Sequence, residues 1–431
     1  MLCSLKAQAA EVNNLLDLRN FTQGIVVDLP EGYTLPKLDL GTSRLASLGL
    51  PHSCVNPNGD LSTKRNIGLL LARMVGWERI FFLDDDIRDL DASDLREVAT
   101  MLGPYRAVGM RAVDFPDNSV VCHGHRKTGG DQDVFISGSV LAVHCTEDIA
   151  FFPEVYNEDW FFFYHAAEAQ RLGRHSRDAT QLRYDPFADP QRAAGQEFGD
   201  VMAEGLYGLL HDRIGADYAT NDYWQSFLDS RMRFLEGVLA RSETVEPLLR
   251  QRIVSSVEAA MTWTRQIEPS MCEHYVTCWR RDLGTWAQRL KDTPTLLSAK
   301  GAFRELGLVP SGPSLYSLAG IMGESAYVVS KGSATGQIPV RPGSGENRHL
   351  RGLVRRAIVL EERAEPPDVS RDRDNRPLTV GRHRVSPELP VAGLSGITEY
   401  LYSQLRAFLA ELGPQLLLLY RRVRQNGLFL R

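Results

Sequence analysis

The sequence has few cysteines and no two of them in C-x-x-C spacing. Its six cysteines are scattered over 431 residues, whereas zinc sites and redox motifs need closely spaced pairs. No run reaches the roughly 18 apolar residues of a membrane span, and no secretory signal pattern opens the chain. These absences predict reduced thiols, no structural zinc and a cytoplasmic location.

Positive charge is not in excess either. The chain has 49 Lys and Arg residues against 54 Asp and Glu, a formal net charge of -5 and a pI near 6.1. A protein that neutralises nucleic-acid phosphates needs a basic surface, so we expect no nucleic-acid partner. With 43 % hydrophobic and 24 % charged residues, the chain has ordinary globular composition.

Short apolar runs alternate with helical patterns over residues 1–190. This alternation is typical of an α/β fold with a mainly parallel sheet. The predicted strands cover residues 1–4, 24–29, 79–83, 107–113, 134–143 and 181–184. The predicted helices cover residues 7–18 and 62–74, and Ser62 is the expected N-cap residue of the second.

Three further regions follow. Residues 191–330 have an almost purely helical pattern, which predicts a helical domain on the acceptor side. Residues 331–392 lose this periodicity and gain Gly, Pro and Arg, as in a flexible linker. Residues 393–431 predict a C-terminal helix with an arginine cluster, which either docks on the body of the protein or makes a peripheral membrane contact.

An apolar run ends abruptly in three aspartates. Residues 80–83 are all apolar, as in a strand buried on both faces, and Asp84, Asp85 and Asp86 follow directly. Alternation along a strand would point Asp84 and Asp86 to one side. Crowded carboxylates are costly to desolvate, and Mn²⁺ or Mg²⁺ prefers oxygen ligands. We therefore predict a divalent cation here; a solvated acidic turn is the alternative.

Four motifs in this order resemble glycosyltransferases of the GT-A fold, the family 2-like group in particular. They are the aspartate run with its Asp-x-Asp motif, the preceding Lys64-Arg65-Asn66-Ile67-Gly68, the small-residue Ser137-Gly138-Ser139 and the acidic Asn157-Glu158-Asp159-Trp160. The resemblance covers residues 1–190, under half of the chain. It implies a Rossmann-like GT-A domain that moves a sugar from a nucleotide-sugar donor to an acceptor hydroxyl.

The resemblance also implies roles for individual residues. Asp159, with Glu158 beside it, would be the base of an inverting transfer, although negative charge at a helix N-terminus is favourable without any catalysis. The implied metal ligands are Asp84, Asp86 and Asp185, the last standing where many members have a histidine. The implied donor-binding residues are Ser4, Lys6, Asp28, Arg65, Asn66, Asp84, Asp85, Ser137, Gly138 and Trp160. The acceptor stays open between a glycan, a small molecule and a lipid-linked group.

Two other functions stay open at this stage. Phosphohydrolases of the haloacid-dehalogenase type also place Asp-x-Asp after an apolar strand, but Arg88 stands where that motif has a small hydroxyl residue. A scaffold that keeps the fold without catalysis would act through the helical region and the tail. The basic segment at residues 123–127 is predicted as a loop. Its charge leaves open either a contact with an acceptor or a phosphate, or an ordinary polar loop.

Overall fold

The structure, a computed structural model, describes most of the chain up to residue 330. The described residues are 2–3, 8–18, 25–44, 60–113, 115, 118–131, 136–311 and 326–330, and all belong to one compact unit. Ser4, Lys6, the predicted linker at 331–392 and the predicted helix at 393–431 lie outside them. Among the described helices, none has both the length and the apolar character needed to cross a membrane.

The fold class is α/β, as predicted. The described helices are α1 (Ala9–Leu18), α2 (Leu61–Val75), α3 (Ala92–Met101), α4 (Val120–Lys127), α5 (Glu158–Glu168), α6 (Pro190–His211), α7 (Asn221–Arg241), α8 (Pro247–Thr264), α9 (Pro269–Asp292) and α10 (Ala299–Glu305). The described strands are β1 (Leu2–Cys3), β2 (Val26–Asp28), β3 (Arg79–Asp84), β4 (Ile87–Arg88), β5 (Ala107–Gly109), β6 (Ala112–Val113), β7 (Val140–His144), β8 (Leu172–Arg174), β9 (Ala179–Gln181), β10 (Pro310–Ser311) and β11 (Ala326–Ser330).

The sheets are mixed rather than mainly parallel. The central sheet has five strands in the order β11-β3-β7-β5-β8. Strand β7 runs antiparallel to both of its neighbours, β3 and β5, whereas β11 and β8 pair in parallel at the two edges. Two three-stranded sheets, β1-β2-β10 and β4-β9-β6, also combine both kinds of pairing. The prediction of a mainly parallel sheet is wrong because apolar periodicity carries no information on strand direction.

Strand positions were predicted better than strand ends. The run predicted at 107–113 forms two strands, β5 and β6, which belong to different sheets. The strand predicted at 181–184 ends at its first residue, because β9 covers Ala179–Gln181. Strands β4, β8, β10 and β11 were missed. The first three have only two or three residues, too few to show a period of two, and β11 lies in the region predicted to be helical.

Helix α2 lies in the largest apolar core. Its N-cap residue is Asp60 and not the predicted Ser62, whose hydroxyl instead donates to the carbonyl oxygen of Pro153 at 2.7 Å. The same core contains Phe82 from the central sheet and Trp286 from α9. Residues on both sides of position 190 therefore share one core.

Helix α6 approaches the chain just before α5 very closely. A Cβ atom added at Gly199 would lie 2.2 Å from the backbone oxygen of Tyr156, well inside van der Waals contact. A carbonyl of the main chain cannot move aside as the end of a flexible side chain can. Only glycine allows this approach.

We expect Gly199→Ala to lower the free energy of unfolding by about 1 to 3 kcal/mol, the scale of overpacking. The matched control is Gly284→Ala in α9, where an added Cβ atom meets nothing within 4 Å. The control should stabilise the helix by about 0.5 to 1 kcal/mol, because alanine loses less backbone entropy. Urea unfolding measures both variants, and a stabilised Gly199→Ala protein would contradict the close approach.

Candidate functional site

The aspartate run follows the predicted buried strand and begins at its carboxyl end. Strand β3 ends with Asp84, and Asp85 and Asp86 form the turn that leads into β4. Asp84 is buried, Asp85 is exposed and Asp86 is half-buried. The predicted alternation of side chains therefore stops at Asp84, because it applies only within a strand.

Arg65 on α2 joins two acidic residues from different elements. Its Nη1 atom donates to Oε1 of Glu158 at 2.5 Å, and its Nη2 atom donates to Oδ2 of Asp84 at 3.3 Å. All three side chains are buried, and the guanidinium also lies 5.4 Å from the ring centre of Phe152. Three residues predicted from separate motifs therefore meet at one point.

Asp159 is held by two backbone N–H groups. Gly138 donates to its Oδ2 atom at 2.7 Å and Trp160 donates to its Oδ1 atom at 2.9 Å. A Cβ atom at Gly138 would lie 2.4 Å from Nη1 of Arg65. The absence of a side chain at position 138 thus lets this backbone come close to both Arg65 and Asp159.

The small-residue segment is also fastened to β3. The carbonyl of Ser139 accepts a hydrogen bond from the backbone N–H of Asp84 at 2.9 Å. The hydroxyls of Ser137 and Ser139 contact each other, and both side chains are buried. Ser137 therefore supports the segment from inside the protein.

The surroundings of Asp159 make it a better proton acceptor. Burial raises the pKa of this carboxyl above its usual range, and the negative charge of Asp84 raises it further. Arg65 and the two N–H groups act in the opposite direction without cancelling the effect of burial. A general base works best when its pKa lies near the operating pH.

Asn66, predicted to bind the donor, has two hydrogen bonds to the backbone of Phe152. Its Nδ2 atom donates to the carbonyl of Phe152 at 2.7 Å, and its Oδ1 atom accepts from the N–H of the same residue at 2.9 Å. Both ends of the amide are used, and the side chain is buried. Together with the bond from Ser62 to Pro153, Asn66 ties α2 to the segment that leads into Glu158.

Asp28 and Trp160, also predicted to bind the donor, contact neighbouring residues of the protein. Asp28, at the end of β2, accepts the backbone N–H of Ala9 at 2.6 Å and so satisfies a donor at the start of α1. Trp160 is half-buried; its ring lies 4.8 Å from that of Tyr207, and its carbonyl accepts from the Tyr207 hydroxyl at 2.9 Å.

The three aspartates predicted as metal ligands have different partners. Oδ2 of Asp86 accepts from Nε2 of Gln181 at 3.0 Å, Asp84 faces Arg65, and Asp185 forms an ion pair with Arg252 of α8. These three carboxylates are not among the sets of ligand atoms that lie within 4.8 Å of one another in the described part of the chain. Asp185 as a third ligand stays a prediction.

The predicted basic loop at 123–127 is in fact helix α4. The hydroxyl of Ser119 caps it by accepting the N–H of Cys122 at 3.2 Å. His123 is buried and stacks on Phe115 with ring centres 4.5 Å apart. Burial lowers the pKa of His123 to about 3, helped by Arg126 and other nearby cations, so its ring is neutral. The loop prediction is wrong because Val120 and Val121, just before this segment, begin the same helix and pack into an apolar core.

Sequence reasoning missed a second buried charged cluster, around Arg231 of α7. Its guanidinium donates to both carboxylate oxygens of Glu197 at 2.7 and 2.8 Å, to Asp200 at 2.9 Å and to Glu204 at 2.9 Å. The three acids lie on one face of α6 at helical spacing, a signal that the sequence does contain. Cys122, Asp200 and Glu204 group closely, but the guanidinium already supplies the positive charge, so the grouping does not identify a metal.

We expect Arg65→Met to lower the free energy of unfolding by about 3 to 5 kcal/mol, because it leaves buried carboxylates without their counter-charge. The matched control is Arg73→Met on the same helix, since Arg73 pairs at 3.0 Å with the exposed Glu147. An exposed pair contributes at most about 1 kcal/mol. Chemical unfolding of both variants tests this difference. Equal decreases in the free energy of unfolding would show that the Arg65 ion pairs stabilise the protein no more than an exposed pair does.

Comparison with other proteins does not supply a function. No protein family, curated protein or solved structure matches this chain. The functional argument therefore depends on the geometry of the site: a buried guanidinium between two carboxylates, an acidic turn that reaches solvent, and a carboxylate held by backbone N–H groups.

Proposed function

We propose that the chain is a divalent-metal-dependent glycosyltransferase with a GT-A type catalytic region, which moves a sugar from a nucleotide-sugar donor to an acceptor hydroxyl. The observation that carries this proposal is the convergence of the motifs on Arg65. Residues 93 positions apart, Arg65 and Glu158, form one buried ion pair, and Gly138 connects this pair to Asp159. A purely structural origin of the motifs does not require them to meet.

The turn after β3 suits a hard divalent cation. Exposed Asp85 and half-buried Asp86 bring carboxylate oxygens to the protein surface. Mg²⁺ and similar ions are commonly held by one or two carboxylates together with phosphate oxygens of the substrate. We assign Asp86 as the main protein ligand with Asp85 beside it, while Asp84 stays paired with Arg65. The bound cation would neutralise charge on the donor diphosphate.

Asp159 is the better candidate for the base of an inverting transfer. Glu158 is engaged by Arg65, whereas Asp159 is oriented by Gly138 and Trp160 and has a raised pKa. In the proposed step the acceptor oxygen bonds to the anomeric carbon, the bond from that carbon to the diphosphate breaks, and Asp159 takes the hydroxyl proton. The nucleoside diphosphate leaves with the bonding electrons.

Asp86→Ala should weaken metal-dependent binding of a nucleotide sugar by at least about tenfold, or 1.4 kcal/mol. The fold should persist, because the mutation removes one of three crowded like charges. The control is Asp217→Ala, an exposed aspartate paired with Arg280. Titration calorimetry with UDP-, GDP- and TDP-sugars, with and without Mn²⁺, measures the effect. Equal affinities of mutant and wild type would refute the metal role of Asp86.

Asp159→Asn should leave donor binding unchanged and lower turnover by roughly 10² or more, the scale of a lost general base. Asparagine keeps the size of the side chain and can still accept a backbone hydrogen bond, but it cannot take a proton at neutral pH. Glu168→Gln, at the other end of α5, is the control.

The rate of single-turnover sugar transfer, measured for Asp159→Asn at saturating donor and Mn²⁺, decides whether Asp159 is the base. A rate within about threefold of wild type would make Asp159 a helix-capping residue and not a base. A wild-type protein that hydrolyses phosphate monoesters without sugar transfer would favour the phosphohydrolase, and one that does neither would favour the scaffold.

A further inference from the structure

Asn157, directly before the acidic pair, has an unusual conformation. Its φ angle is +62°, in the left-handed region that costs energy for residues with a side chain, although asparagine tolerates it better than most. Asn157 is the N-cap residue of α5, yet its side chain makes no capping hydrogen bond. Its Nδ2 atom donates instead to Oδ1 of Asp200 on α6 at 2.9 Å. The Asn157 side chain thus connects the start of α5 to α6 and does not cap its own helix.

Asp200 is itself held in place by the Arg231 cluster. Its Oδ2 atom accepts from Nη2 of Arg231 at 2.9 Å. The guanidinium is almost fully buried, with 1 % of its side chain exposed, so its carboxylate partners cannot leave without a large desolvation cost. The preceding residue, Gly199, forms the close approach to Tyr156 described above. Two consecutive residues of α6 therefore contact the two residues that precede the acidic pair.

We propose that Asp200 and Arg231 are positioning residues for the acidic pair, acting through Asn157. By fixing the first turn of α5, they keep the Asp159 carboxylate on the N–H of Gly138 and Glu158 on Arg65. The catalytic consequence rests on the proposed function, whereas the positioning is a property of the fold and can be tested without any substrate.

The hydrogen bond from Asn157 to Asp200 depends on pH, because Glu204 of the Arg231 cluster titrates. The side chain of Glu204 is 34 % exposed. Its partial burial raises its pKa to about 7, and the negative charges of Asp200 and Glu197 add to the effect while Arg231 opposes it. The groups that face Glu204 are this guanidinium on α7, the two acids on α6 and the thiol of Cys122 on α4. Because the pKa of Glu204 is raised in the folded protein from 4.5 to about 7, its contribution to the free energy of unfolding is full below about pH 4.5 and is lost as the pH rises to about 7.

The variant that isolates the link is Asn157→Gly. Glycine adopts the left-handed conformation without strain, so the turn keeps its backbone path while the amide that reaches Asp200 is lost. The matched control is Gln170→Gly, just after the other end of α5, where an exposed residue has a φ angle of +54°. Both changes relieve the same kind of backbone strain, but only the first removes a contact to α6.

Hydrogen exchange at the backbone N–H of Gly138 reports directly on the position of Asp159. In the full-length protein, we expect Asn157→Gly to lower the protection of this amide about tenfold, the scale of one buried hydrogen bond. Gln170→Gly should leave the protection unchanged. Wild-type protection at Gly138 should also decrease as the pH rises from about 4.5 to about 7. Unchanged protection in Asn157→Gly would overturn the proposal.

An exchange of donor and acceptor gives a second test. Asn157→Asp alone sets a carboxylate against Asp200 and should also lower the protection of Gly138. Adding Asp200→Asn restores a hydrogen bond of opposite direction, while the amide oxygen still accepts from Arg231, so protection should return. A double variant as poorly protected as the single one would overturn the proposal.

Turnover distinguishes positioning from general stability. If sugar transfer is observed, Asn157→Gly should lower kcat about tenfold at unchanged donor affinity, the pattern of a contact needed only in the transition state. If no transfer is observed with the wild type, the proposed function fails while the exchange result still decides the positioning. An equal loss of kcat in Gln170→Gly would overturn the role of the link to Asp200.

Discussion

The buried guanidinium of Arg65 is the interaction on which the candidate site depends. Removing such a charge from water costs several kcal/mol unless carboxylates and hydrogen bonds surround it. Asp84 at the end of β3 and Glu158 at the start of α5 supply that counter-charge. The requirement fixes α2, β3 and α5 relative to one another, and glycine at position 138 is the residue that fits into the remaining space.

The acidic pair is held from two directions. On one side, Asn66 binds both backbone polar groups of Phe152, which ties the incoming segment to α2. On the other side, Asp200 binds Asn157 and belongs to the Arg231 cluster. Catalytic groups need rotamers that are locked by packing and by supporting hydrogen bonds, and this segment has such support at both of its ends.

The carboxylates of the proposed site have two different tasks. A cation must reach its ligands from solvent and bind the substrate as well, which suits the exposed Asp85 and the half-buried Asp86. A base that is to take a proton near neutral pH needs a raised pKa, and partial burial raises the pKa of the half-buried Asp159. In the proposed function, the same type of side chain would bind the metal at Asp85 and Asp86 and take the proton at Asp159.

Local patterns were enough to identify the strand before Asp84, the helix that contains Arg65 and the α/β class, because periodicity and abrupt changes of polarity report which faces are buried. They also marked Arg65, Asp84, Glu158 and Asp159 as one set, although only through a resemblance. Only the tertiary structure decided four features: the direction of β7, the burial of His123, the structural contacts of Asn66 and the link from Asn157 to Asp200. Asn66 and Phe152 lie 86 positions apart, and Asn157 and Asp200 lie 43 positions apart. A hydrogen-bond partner at that distance leaves no trace in the local sequence.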